Sequence, residues 1–291
     1  MFSQFFGNFL LSKGVVTTEQ LLRAIKEQHS RHLKVGTLAI HNGYMTANEV
    51  DNIVIRQTHE DKRFGEIAIE EGYLTEDQLT TLLQAQTPDY LLIGQILVDD
   101  GVLTNSQLEE LITTYHTENK LSELNGEHKE NLDALIRNLM LLSITDMPEH
   151  LTKYLNLLFN NLVRFVGEDF TPLNPRFCSE YVTDHCSGQV IDGDFQIVSY
   201  VDVDRETAIS FASRYVGEEF SEFDEYVQAS IEDFLNLHNG LFNVNVSNEN
   251  SIELHLNPPL SMENTMLSSV DDSILLPILY PFGVLNFLFK V

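Results

Sequence analysis

The chain has 291 residues, 43% of them hydrophobic, 44 acidic against 17 basic side chains, and a formal net charge of −27. Its length suggests two domains and a substantial core, and its acidity excludes a surface built to neutralise phosphates, whether of nucleic acid or of anionic lipid. Two cysteines, Cys178 and Cys186, are too few for a disulfide framework, and no charged segment with a cleavage site precedes the apolar start, so the expected location is cytoplasmic.

Four copies of one pattern fill residues 1–115 at a spacing of 29. Gly7, Gly36, Gly65 and Gly94 open them, and Gly14, Gly43, Gly72 and Gly101 follow seven residues later. Within each copy a short apolar stretch ends at the second glycine, a residue suited to the left-handed turn after a helix. A second helix then starts on a capping box: Thr17 with Gln20, Thr46 with Glu49, Thr75 with Gln78, and Thr104 with Gln107. Each unit therefore reads as a helical hairpin, and the four together as an all-α repeat array whose apolar faces are buried by packing of the units on one another.

After Tyr115 the period stops. Residues 116–147 read as a polar linker followed by a connecting helix that carries Leu132, Leu135, Ile136, Leu139 and Leu142. A longer helix is expected after Asp146, with Pro148 in its first turn, an apolar stripe of Leu151, Leu155, Leu158, Leu162 and Phe165, and Gly167 at its end. From Phe177 the pattern turns to strands, with Asp192 and Gly193 as the turn of a hairpin. Two helices follow, over 205–216 and 223–240. Alternation of Phe242, Val244 and Val246 with polar residues then predicts a strand, and NEN (248–250) a turn. A further strand is expected through Ile252, Leu254 and Leu256. The apolar C-terminal run is interrupted by Pro277, Pro281 and Gly283, so it reads as a buried hairpin rather than a membrane span, with Leu285, Phe287, Phe289 and Val291 on one face. The expected fold is α+β overall: the repeat array over 1–115, the linker over 116–147, and a two-layer α/β domain with a largely antiparallel sheet over 148–291.

Charge is unevenly spread: residues 126–291 hold twenty-six acidic and eight basic side chains. Such a surface keeps a protein soluble and can also receive a basic partner patch. In the segment EFDEYVQASIEDFLNLHNG, Val227, Ile231, Phe234, Leu235 and His238 form the apolar stripe of one helix, while Asp233 and Asn236 lie three apart on the opposite side.

The stretch IVSYVDVDRETAISFASRYVGEEF with SIEDFLNLHNG resembles the CheC/CheX/FliY family of chemotaxis phosphatases, its CheX-like branch in particular, over residues 148–291. That family carries Glu-x-x-Asn on a helix with Gly four residues after the Asn, positions matched here by Asp233, Asn236 and Gly240. The resemblance implies hydrolysis of the aspartyl phosphate on a response-regulator receiver domain. Asn236 would orient the attacking water and Asp233 would dock the receiver's lysine. No cofactor is expected on this chain, since the receiver brings its own Mg²⁺. A homodimer is also implied. Asp233 stands where the family has Glu, and Glu232 is an alternative acid one position out of register. A receiver-binding adaptor without catalysis is accordingly the alternative to an enzyme.

The repeats resemble the MshEN domain found at the N-terminus of type II secretion and pilus ATPases, some of which bind cyclic di-GMP through an Arg two residues before the first Gly. Phe5, Lys34, Arg63 and Leu92 occupy that position here. Lys34 and Arg63 are thus the candidate ligand-binding residues, and a purely structural or protein-docking array is the alternative. Metal binding at His29 and His32, or at Cys178, His185 and Cys186, lacks the paired short spacings of a zinc site, and no metal is expected.

Overall fold

The computed structural model describes residues 2–84, 89–118, 128–140, 148–250, 252–267 and 273–290. Its contacts divide the chain into two compact units, Phe2–Asn125 and Gly126–Val291. All strand pairing among the described residues is antiparallel, and the fold class is α+β.

The first unit consists of α1 (Phe2–Ser12), α2 (Thr18–Glu27), α3 (Val35–His41), α4 (Ala47–Gln57), α5 (Phe64–Glu70), α6 (Glu76–Gln84), α7 (Asp89–Asp99) and α8 (Asn105–Glu118). Every even-numbered helix among these starts on a reciprocal capping box. The backbone N–H of Thr17, Thr46, Thr75 and Thr104 donates to the side chain three residues on, and the backbone N–H of that residue donates to the threonine hydroxyl, all at 2.7–3.4 Å. The two glycines of each repeat serve different ends. Gly14, Gly43, Gly72 and Gly101 have φ of 66–74°, with open space where a Cβ would stand. At Gly36, Gly65 and Gly94, a Cβ would come within 2.8, 2.6 and 2.5 Å of Val50, Leu79 and Leu108, each 14 residues further on. The first glycine therefore admits an apolar side chain of the following helix, and the second lets the chain turn back. Gly72→Ala is expected to cost about 1 kcal/mol, from the left-handed conformation alone, and Gly72→Asn less, as read from denaturant midpoints.

The fourth repeat is the hub of this unit. Its α7 packs on α1, α2 and α3, and its α8 on α1, α3 and α4. Phe6 of α1 lies 5.3 Å from the Tyr90 ring and 5.1 Å from the Tyr115 ring, so the aromatic core is closed between the first and last repeats.

The second unit begins with α9 (His128–Met140) and α10 (Glu149–Phe165), whose Leu151, Leu155, Leu158 and Leu162 are buried. Pro148 caps α10, and Gly167 follows it with φ 131°. The expected cap at Asp146, Leu142, much of the linker and Val291 lie outside the described residues. The strands are β1 (Thr171–Pro172), β2 (Arg176–Cys178), β3 (Tyr181–Val182), β4 (His185–Gly193), β5 (Ile197–Val203), β6 (Leu254–Leu256), β7 (Leu260–Glu263), β8 (Met266–Leu267), β9 (Ser273–Tyr280) and β10 (Gly283–Lys290). Between β5 and β6 come α11 (Arg205–Val216) and α12 (Glu225–Asn250). The sheet runs β1-β9-β10-β5-β4-β6, with β2 also on β9, β7 also on β4, and β3 with β8 as a separate ribbon. The last two strands form the expected buried hairpin, with Leu285, Phe287 and Phe289 nearly or wholly inaccessible. Among the described residues no helix is long and apolar enough to cross a membrane.

Two expectations are corrected. Phe242, Val244 and Val246 are not a strand and residues 248–250 are not a turn, because α12 continues through them to Asn250. Phe242 and Val246 are buried one turn apart in line with His238, while Val244 is 57% exposed; the apparent alternation is a helical stripe seen at a spacing of four. The hairpin turn after β4 is also longer than Asp192–Gly193. Ile191 pairs with Ile197, so the connection extends through Gln196, and Asp192 and Gly193 still pair with β6.

Candidate functional site

Helix α12 spans 26 residues and lays Val227, Ile231, Phe234, Leu235, His238, Phe242 and Val246 against the sheet and its neighbouring helices. It starts cleanly because Asp224 accepts the backbone N–H of Val227 at 3.0 Å. Burying that stripe turns Asp233 and Asn236 outward, and both are exposed. They are neighbours, one turn apart on the same surface.

Neither side chain hangs free. The hydroxyl of Tyr215, near the end of α11, donates to Asp233 Oδ2 at 2.6 Å. Tyr215 is held edge-on against Phe234 and stacked on Phe211, with ring centroids 5.8 Å apart in each case. Burial, and then the adjoining carboxylate, push its phenol well above the usual tyrosine range, so it remains a donor. Asn236 Oδ1 accepts an N–H of Gln189, from the middle of β4, at 2.8 Å. The alternative acid, Glu232, is half-buried and accepts the Ser261 hydroxyl, to which Gln228 Nε2 also donates at 3.1 Å. Glu232 is thereby tied toward β7, while Asp233 faces outward beside Asn236.

Beneath this pair lies a chain of buried polar groups. Asn239, wholly inaccessible, donates to Gln189 Oε1 at 2.9 Å and to Ser199 Oγ at 3.1 Å, and its own Oδ1 accepts the Tyr154 hydroxyl at 2.6 Å. His238, also wholly inaccessible, meets Asn161 Nδ2 through Nδ1 at 3.1 Å. Burial pushes its imidazole pKa down to about 3, against an ordinary value near 6.5. Between those values the unfolded chain binds a proton that the folded chain refuses, so stability present above pH 6.5 is lost on acidification through that window. The expected slope is on the order of 1 kcal/mol per pH unit. Burial raises the Asp202 pKa and therefore works in the opposite sense, so the difference between wild type and His238→Gln isolates the histidine. Denaturant midpoints at pH 7.5 and 5 should converge for the two proteins; parallel behaviour would mean that His238 carries no linkage.

The structure places Asp233 and Asn236 side by side as helical spacing predicts, and adds contacts that the spacing does not reveal: Gln189 and Tyr215 hold them directly, and Asn239 and Tyr154 brace Gln189. A signal existed for Gln189: on β4 the inward positions read Ser187, Gln189 and Ile191, and a polar residue in a buried register must find partners.

The other candidates are dispersed. Lys34, at the start of α3, pairs its ammonium with Asp99 at 2.5 Å and donates its backbone N–H to Gln95 Oε1. Arg63 is exposed at the start of α5, where its backbone N–H donates to Glu66 at 2.8 Å. The carbonyl of His32 accepts Gln95 Nε2, and the side chain of His29 is outside the described residues. Cys178 donates its thiol to the Glu180 carbonyl, while Cys186 is buried and its thiol pushed up by burial. Among the described residues no group of three His, Cys, Asp or Glu side chains is arranged to hold a metal ion.

No protein-family model matches the chain, and no curated protein does. It is similar to several solved structures over about half its length. One is the chemotaxis protein CheX from Desulfovibrio desulfuricans, 15% identical, covering 49% of this chain and 99% of that one with a TM-score of 0.42. A second is a CheC-like superfamily protein from Shewanella sp. PV-4, 16% identical over 50% of this chain and 100% of that one, TM-score 0.43. A third is a chain of the CheX–CheY–BeF3–Mg complex from Borrelia burgdorferi, 15% identical over 49% of this chain and 97% of that one, TM-score 0.41.

Proposed function

We propose that the second unit dephosphorylates the aspartyl phosphate of a response-regulator receiver domain. The observation that carries this reading is the exposed Asp233 and Asn236 pair, one turn apart on a long helix, with each side chain held by a residue from another element. A reaction in trans needs such a rigid projecting face. Asn236 holds a water in line with phosphorus; the water oxygen bonds to phosphorus as the acyl phosphate P–O bond breaks. The receiver's aspartate leaves as a carboxylate, and the water's proton passes to the phosphate or solvent. The chain need not activate the nucleophile strongly, since the receiver's Mg²⁺ and lysine already stabilise the charge. Asp233 meets that lysine. Residues 218–233 support such docking with seven carboxylates and no Lys or Arg, a field that draws a cationic patch toward the helix.

A second reading is favoured by one detail: Asp233 already accepts the Tyr215 hydroxyl and is one methylene shorter than Glu, which suits a receiver-binding adaptor that leaves the phosphate intact. Phosphate loss from receivers phosphorylated with acetyl phosphate, with and without the full chain, decides between them. Accelerated decay supports catalysis; binding with unchanged decay supports the adaptor.

A further inference from the structure

Resting on the phosphatase reading, we propose that Gln189 is a positioning residue that sets which end of the Asn236 amide meets the attacking water: the oxygen is turned in toward Gln189, and the N–H₂ is presented outward.

The assignment follows from hydrogen-bond polarity. Gln189 is 2% exposed. Its Nε2 lies 2.8 Å from the carbonyl oxygen of Asn257 and 2.8 Å from Asn236 Oδ1, and its Oε1 lies 2.9 Å from Asn239 Nδ2. A backbone carbonyl only accepts, so the nitrogen of Gln189 must face Asn257, and this fixes the orientation of the whole amide. The second N–H on that nitrogen then requires an acceptor at Asn236, which has to be Oδ1. From the other side Gln189 is braced by Asn239, itself tied to Ser199 and Tyr154. A solvent-facing asparagine ordinarily turns freely; this one is locked from a buried strand. The consequence for catalysis is that both Nδ2 protons point away from Gln189, free to donate to the water oxygen, while one lone pair remains on Oδ1. Donation from Gln189 into Oδ1 also polarises the amide and sharpens those N–H donors.

Two measurements on the full chain test this. The first needs no activity: side-chain amide hydrogen exchange by NMR, without receiver, should show the Gln189 Nε2 protons protected and the Asn236 Nδ2 protons exchanging fast. Protection of Asn236 instead, or of neither, would overturn the inference. The second compares Gln189→Glu, which keeps shape but has at most one proton for the two acceptors, and Gln189→Leu with wild type on a receiver phosphorylated with acetyl phosphate. The rate at saturating receiver should fall about ten-fold, with KM unchanged, and the double variant with Asn236→Ala should be no slower than Asn236→Ala alone. Unchanged turnover in both Gln189 variants, or strictly additive losses, would overturn it. A wild type without phosphatase activity would sink the function proposed above, and the exchange pattern would still decide the orientation of Asn236.

Discussion

Asn236→Ala is expected to lower receiver dephosphorylation by on the order of 10²-fold or more while leaving receiver affinity nearly unchanged. The side chain is exposed, and its removal leaves Gln189 still donating to the Asn257 carbonyl, so the fold should tolerate the change within about 1 kcal/mol. What disappears, on the proposed mechanism, is the group that holds water in line, an entropic advantage of that size. Asp233→Ala should differ in kind, weakening association more than the chemical step, because the role proposed for it is to meet a cation on the partner. Single-turnover phosphate release separates the two: a rate that saturates low for Asn236→Ala, and one that saturates late for Asp233→Ala. If Asn236→Ala retained full turnover, the water would have to be held by some other group.

Gly283→Ala should be among the most damaging single-methyl additions to the second unit, costing about 3 kcal/mol or more. Gly283 has φ 149°, and a Cβ there would fall on the Thr207 hydroxyl and within 2.9 Å of Thr207 Cβ and Cγ2. Thr207 cannot move aside. It is 1% exposed, its backbone N–H donates to Asp204 Oδ1 at 2.8 Å, and its hydroxyl donates to Asp204 Oδ2 at 2.9 Å. The added methyl would therefore break the cap that starts α11 and disturb the helix that carries Tyr215. Denaturant unfolding of Gly283→Ala, Thr207→Ala and the double variant should reveal a favourable coupling above about 1 kcal/mol, because Thr207→Ala removes two of the three atoms in conflict. Additive costs would place the strain in the backbone of Gly283 alone.

Local chemistry was legible: Thr17, Thr46, Thr75 and Thr104 each cap a helix because every partner they need lies three residues away. Asp233 and Asn236 were legible as a pair because helical spacing puts them side by side once the apolar stripe is placed. The end of α12 was misread because a stretch with apolar residues at 242, 244 and 246 satisfies period two as readily as part of a helical period, and only burial against α10 and the sheet separates them. Gln189 and Tyr215 stayed hidden for another reason. Gln189 lies 47 residues before Asn236 and Tyr215 lies 18 before Asp233, and nothing local to either reveals the contact. The partner that holds each of these two side chains is a product of topology.

The packing of the fourth repeat has a consequence for cooperativity. In an open stack, a terminal repeat can be removed at the cost of one interface, and the rest survives. Here α7 and α8 touch α1, α2, α3 and α4, and Phe6 seals against Tyr90 and Tyr115. Losing either terminal repeat would strip the partner from the other end as well, so the array should melt as one body despite being spelled four times, and neither end can be shed or mutated on its own account.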